Sequence, residues 1–280
     1  MCYDLFDSSP LFEGDLPAPP VKYELIQELE SCLDKAVDYN FRADSELHST
    51  TILDFMSKIR QYPNLSIFHN FGTAIKVMLN SAQSVSDSEL FQLVCDSYKE
   101  LSVKDCERIR RAAESKPIEL TYIDESVPLP QQMDKFWSSS CNKTNIQKMG
   151  TSIALRDIPY VVISGMVIDD ELKYAQIKEL GNISDVPELS SWVEEADDRI
   201  IPHISWSLDK KYDRVIVISN DTDTITRILH YMSDFIANGL KELWVQYGVG
   251  ETKRMGIYRS TQYMRNLGLT RVRSSSKLTF

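Results

Sequence analysis

The chain has 280 residues, 42% of them apolar, enough for one large domain or two small ones with a genuine core. Its acidic start, MCYDLFDSSPLFEGD, is no secretory signal, and no apolar run approaches the ~18 residues of a membrane span, so a nuclear or cytoplasmic, non-secreted protein with no membrane partner is expected. A net charge of −10 argues against a general polyanion binder, while 5 cysteines without a CxxC pair and 4 scattered histidines argue against a zinc site or a disulfide framework.

Residues 1–22 are Pro-rich and irregular, and helical spacing of Leu25, Ile26, Leu29 and Leu33 follows over Tyr23 to Lys35. Residues 1–45 therefore read as an N-terminal arm and helix, 46–252 as the main domain and 253–280 as a basic tail. A short strand, Thr51 to Leu53, ends in Asp54, and a helix runs on through Lys58 toward Tyr62-Pro63. Phe71 to Asn80 is the next helix. Leu90 to Cys95 is a strand that ends at Asp96, and Val103 to Ala113 is a basic helix. A turn-rich link, 119–130, precedes a helix expected over Gln131 to Gln147. Ile158 to Ile163 is a third strand with Pro159 at its start or on an edge. The stretch to Leu180 continues with apolar and then polar residues, and 183–190 reads as irregular. Ser191 to Leu208 is helical, with Pro202 expected to kink or end it.

The four β-branched residues Val215 to Ile218 form a fully buried strand, followed by Asp221 and Asp223 and a helix from Thr224 to Ala237. Lys241 to Tyr247 is the last strand. Strands alternating with helices imply an α/β fold, a mostly parallel central sheet with helices on both faces.

Three strand ends thus carry Asp, and one helix start carries Glu194-Glu195-Ala196-Asp197-Asp198. In a parallel sheet the strand ends face one edge, where ligands gather. Clustered carboxylates repel, and a divalent cation relieves the repulsion. The plainer alternative makes each acid a cap or turn residue, Asp221 capping the helix after it.

The segments LDF at 53–55, VCDSYKE at 94–100, EEADDRI at 194–200 and SNDTDT at 219–224 resemble, in order, the flap-endonuclease (XPG-type) branch of PIN-like nucleases. Asteroid-like and transposon-associated proteins with an EEADTRI-type segment are the nearest in pattern. The resemblance spans roughly 50–250. It implies a nuclease that hydrolyses phosphodiester bonds in branched or single-stranded DNA or RNA with two Mg²⁺ or Mn²⁺ ions. Asp54, Asp96, Glu195, Asp197, Asp221 and Asp223 would face the metal, all but Asp54 also being assigned to catalysis. Asp197 stands where the flap enzymes have a second Glu, and the family's further Asp has no match, Asp234 being a poor stand-in.

Lys104, Arg108 and Arg111 share one helical face, and the tail from Lys253 and Arg254 onward holds seven Lys or Arg and no acid. Both read as phosphate contacts, or else as solvated charge. Phe136 and Trp137 stand beside Lys135 and Lys143 where bases would stack, with core burial expected for at least one ring. Two other functions fit parts of the sequence: a non-catalytic PIN-like module that binds nucleic acid or protein, and a haloacid-dehalogenase-like phosphatase built on the Asp-x-Asp.

Overall fold

The computed structural model describes residues 12–13, 16–17, 47–60, 68–85, 88–98, 116–168, 171–190, 193–247 and 254–259. A two-stranded ribbon, β1 (Phe12–Glu13) with β2 (Leu16–Pro17), lies in the N-terminal arm. The main body is an eight-stranded sheet. Its strands are β3 (Ser49–Asp54), β4 (Leu90–Val94), β5 (Tyr160–Ile168), β6 (Glu171–Glu179), β7 (Asn182–Asp185), β8 (Arg214–Ile218), β9 (Glu242–Tyr247) and β10 (Arg254–Arg259). They lie in the order β10-β9-β8-β3-β4-β5-β6-β7. Strands β9, β8, β3, β4 and β5 are parallel in series, and β10 and the β6–β7 pair flank them antiparallel. The α/β, mostly parallel expectation holds.

Alternation along each strand divides the core between two faces. On one face Leu53, Phe91, Leu93, Ile163, Ile216, Ile218 and Trp244 meet α1 (Phe55–Ile59), α2 (Phe71–Gln83), α3 (Met133–Trp137) and α4 (Ser140–Asp157). On the other, Ile52, Val94, Val215, Val217, Leu243 and Val245 meet α5 (Ala196–Asp209) and α6 (Thr222–Ala237). The helices therefore cover both faces, as expected. Gly150 of α4 lets the Phe55 ring lie against the helix, since a Cβ there would stand 2.3 Å from it.

The chain departs from β3 to β4 and β5 on one side, then returns to β8 and β9 on the other. That reversal puts a crevice beyond the carboxyl ends of β3 and β8.

Four elements differ from the sequence reading. The helix expected over 131–147 is two helices, because Ser138 and Ser139 interrupt it; Ser139 Oγ accepts from the Asn142 amide at 3.3 Å and starts α4 afresh. α4 then runs to Asp157, where Ile158-Pro159 stops it. The stretch 165–185 ends β5 and adds the antiparallel β6–β7 hairpin, where apolar and then polar residues and an irregular segment from 183 were expected. Its turn, Leu180-Gly181, has φ +49° and +94°, the type I′ geometry that suits a two-residue connection. α5 begins at Ala196 and runs through Pro202 to Asp209 without ending there. Burial of Ile200, His203, Ile204 and Leu208 against the sheet outweighs one missing backbone bond. Finally, β10 lies in the stretch expected as a tail and pairs with β9.

The helix expected at 23–35, the basic helix at 103–113 with Lys104, Arg108 and Arg111, and Lys253 lie outside the described residues. Among the described residues, no helix is long and apolar enough to cross a membrane.

Candidate metal centre

The crevice is built from strand ends. Asp54 closes β3 and is buried. One of its oxygens accepts from the Ser57 amide at 3.0 Å and caps α1; the other accepts from Ser219 Oγ at 2.9 Å, across from the end of β8. Burial pushes the Asp54 carboxyl up to about 7, with the charge of Asp96 adding to it and Asp221 adding less, against the two hydrogen bonds. Asp54 therefore lies near enough to both Asp96 and Asp221 to feel their charge, at the carboxyl edge of the sheet.

Asp96, two residues past β4, joins this group to α5. Its Oδ1 accepts from the Ala196 amide at 2.9 Å, an anion at a helix N-terminus. Its Oδ2 accepts from the Tyr98 hydroxyl at 2.9 Å, and its backbone is clamped by Gln147 of α4, at 2.8 and 3.0 Å. Lys143, one turn before Gln147, stands 5.6 Å over the Tyr98 ring. Next to Asp96, Ser97 donates its amide to the Glu194 carbonyl at 2.7 Å and its hydroxyl accepts from the buried Arg199 at 2.8 Å.

The start of α5 holds the tightest acid group. Carboxylate oxygens of Glu195, Asp197 and Asp198 all lie within 4.8 Å of one another. Asp197 is buried, and burial raises its carboxyl above the usual carboxylate range; Arg227 pulls it down, while Glu195 and Asp198 push it further up. Arg227, on α6, pairs with Asp197 at 3.2 Å through Nε and with Asp198 through a terminal nitrogen. An all-oxygen donor set of this kind fits a hard cation such as Mg²⁺ or Mn²⁺, not a thiolate-seeking metal.

Asp221 and Asp223 open α6. Asp221 is exposed, and its side chain accepts from the Asp223 amide at 2.9 Å, so the plain capping role expected as an alternative is real. Glu195 precedes α5 as its N-cap residue but makes no capping bond with its side chain.

The structure puts Asp54 and Asp96 at strand ends, Asp96 against the start of α5, and Asp221 at the start of α6; Asp198 was not among the acids expected to face the metal, and Arg227 was not singled out. The signal was present: Arg227 follows Asp223 by four residues on α6, hence on the same helix face. Of the aromatic pair, Phe136 is fully buried against Phe71, with ring centres 4.9 Å apart. Trp137 is half-buried and meets Phe136 edge-on. Arg254 is the first residue of β10.

Beneath this edge lies a closed polar network. The Thr50 and Ser207 hydroxyls donate to the Leu90 and His203 carbonyls, so both accept from the Gln92 amide nitrogen. That turns Gln92 Oε1 toward His203 Nδ1, which donates at 2.7 Å, and leaves Nε2 to accept from Ser164 at 2.7 Å. Burial, with Arg199 adding, depresses His203 to about 3, so the ring is neutral and structural.

No family model matches the chain, and no curated protein resembles it closely enough to count as a match.

Proposed function

We propose that the chain is a PIN-like, flap-endonuclease-like nuclease that hydrolyses phosphodiester bonds in DNA or RNA with Mg²⁺ or Mn²⁺. The observation that carries this is the gathering of Asp54, Asp96, Asp221 and the Glu195/Asp197/Asp198 group, from four separate segments, at the carboxyl edge beside the β3/β8 crevice. Glu195, Asp197 and Asp198 would hold the ion, with Asp221 and Asp223, at the start of α6, turned to the same ion. When bound, the ion would supply Lewis acidity toward the phosphoryl oxygens and acidify water. The chain's own groups do the rest. Asp54, its carboxyl pushed up by burial, would face the ion from the end of β3. Lys143, over the Tyr98 ring, would meet a phosphate. The basic residues Lys104, Arg108, Arg111, Lys253 and Arg254 would extend that contact along the nucleic-acid strand, and Trp137 would favour unpaired bases.

A second reading, a PIN-like module that binds nucleic acid without cutting it, is favoured by one feature. Arg227 already pairs with Asp197 and Asp198, where the ion would sit.

The test is binding of a labelled flap, single strand and duplex across a salt series, followed by cleavage with and without chelator. The nuclease reading expects chelator-sensitive cleavage and binding that weakens steeply with salt. Replacing Lys104, Arg108 and Arg111 by Ala should flatten that salt slope. Salt-sensitive binding without cleavage in any divalent ion favours the second reading, and salt-independent binding contradicts both.

A further inference from the structure

The acids at the start of α5 already hold a cation of the chain's own. Arg227 lies on α6, one helical turn beyond Asp223, and reaches across the α5–α6 contact to Asp197 and Asp198. These are two of the three carboxylates whose oxygens approach within 4.8 Å. A divalent ion on the same oxygens would stand against a guanidinium that cannot lose its charge, because arginine does not deprotonate in proteins. A lysine in that place could yield by giving up a proton; an arginine can yield only by moving. The side chain is able to move, being 40% exposed, whereas α6 itself is anchored by buried Ile225, Ile228, Met232 and Phe235. Asp197, by contrast, is fixed: its side chain is 9% exposed and its Oδ1 accepts from the Asp198 amide at 2.9 Å.

We propose that Arg227 is a built-in competitor of the divalent ion, a guanidinium that holds Asp197 and Asp198 until the ion displaces it toward solvent. The inference rests on the metal-dependent reading above and adds to it the residue that sets how readily the ion enters. In ion-free protein Arg227 offsets the repulsion between Asp197 and Asp198 at the start of α5. When the ion arrives it must first break a two-armed ion pair, so affinity is lower than the donor set alone would give. The displaced guanidinium then points outward from the rim of the crevice.

The experiment is a Mn²⁺ titration of the full chain at low salt, following the free ion by electron paramagnetic resonance. It compares the parent protein with Arg227→Met, Arg227→Gln and the pair Asp197→Asn with Asp198→Asn. Loss of the competitor should tighten Mn²⁺ binding in Arg227→Met and Arg227→Gln by about tenfold, equivalent to about 1.4 kcal/mol. The double Asn variant should bind no Mn²⁺ at this site. A structural clamp would behave in the opposite sense, since its loss would loosen the acids and weaken the ion. Equal or weaker binding in both Arg227 variants therefore overturns the inference while leaving the metal site standing. Absence of Mn²⁺ binding in the parent and in both Arg227 variants overturns the metal reading and this inference with it. Should neither Arg227 variant fold, the parent protein still decides: in a Mg²⁺ titration the Arg227 Nε–H resonance should move and exchange faster with water. A resonance unmoved at saturating Mg²⁺ overturns the proposal.

Discussion

The two ends of the parallel strands handle charge in opposite ways. At the amino edge, Arg214 and Glu242 open β8 and β9 in register, pair at 2.8 Å and are buried together. The Trp244 indole donates to the same Glu242 oxygen at 3.1 Å. There a buried anion is met by a buried cation. At the carboxyl edge, Asp54 and Asp197 are buried among further acids, and both carboxyls are raised. Burial of charge is common to the two ends; balance is not. A balanced pair stabilises the sheet, and an unbalanced group holds a standing attraction for a cation.

The comparison breaks first, if it breaks, at the amino edge. Arg214→Met takes the paired guanidinium away from buried Glu242 and should cost about 3–5 kcal/mol in urea unfolding. A loss under about 1 kcal/mol would mean that the pair is not what balances that end. At the carboxyl edge the sign reverses. Mn²⁺ at about 100 times its dissociation constant should raise stability by about 2.7 kcal/mol through mass action. Asp197→Asn with Asp198→Asn should abolish the rise in melting temperature, whereas Arg214→Met should keep it.

A smaller effect sharpens the contrast through pH. The folded Asp54 carboxyl titrates at about 7, above its ordinary 3.8, so between those values the folded state holds the extra proton. Its contribution to stability therefore falls as pH rises through that window. His203 acts oppositely: depressed from 6.5 to about 3, it leaves the extra proton on the unfolded chain, and stability rises with pH between those values. The two slopes oppose each other from about pH 4 to 6.5 in the parent protein. Asp54→Asn should unmask the rising His203 slope and, in metal-free protein at pH 8, add about 1–2 kcal/mol. Unfolding followed from pH 4 to 8 checks both, and an unchanged slope in Asp54→Asn contradicts the assignment.

The sequence revealed the parts of this molecule in which local pattern and tertiary role agree. The β-branched run of β8, the Asp at the end of β3 and the acidic start of α5 carry their own signals. The β6–β7 hairpin did not, because Leu180 occupies a left-handed turn position where Asn or Asp would have announced it. α5 misled through Pro202, whose local preference loses to a face buried on the sheet. Asp198 and Arg227 were overlooked for a different reason. Each looks like surface charge in its own segment, and their pairing exists only once α5 and α6 lie side by side.

The most direct test of the carboxyl edge as a cation site is anomalous scattering from crystals of the protein grown with millimolar Mn²⁺. The account predicts a manganese peak about 2.0–2.6 Å from oxygens of Glu195, Asp197 and Asp198, with the Arg227 guanidinium turned away from both aspartates. Crystals that show no peak, with Arg227 still seated on Asp197 and Asp198, would contradict it.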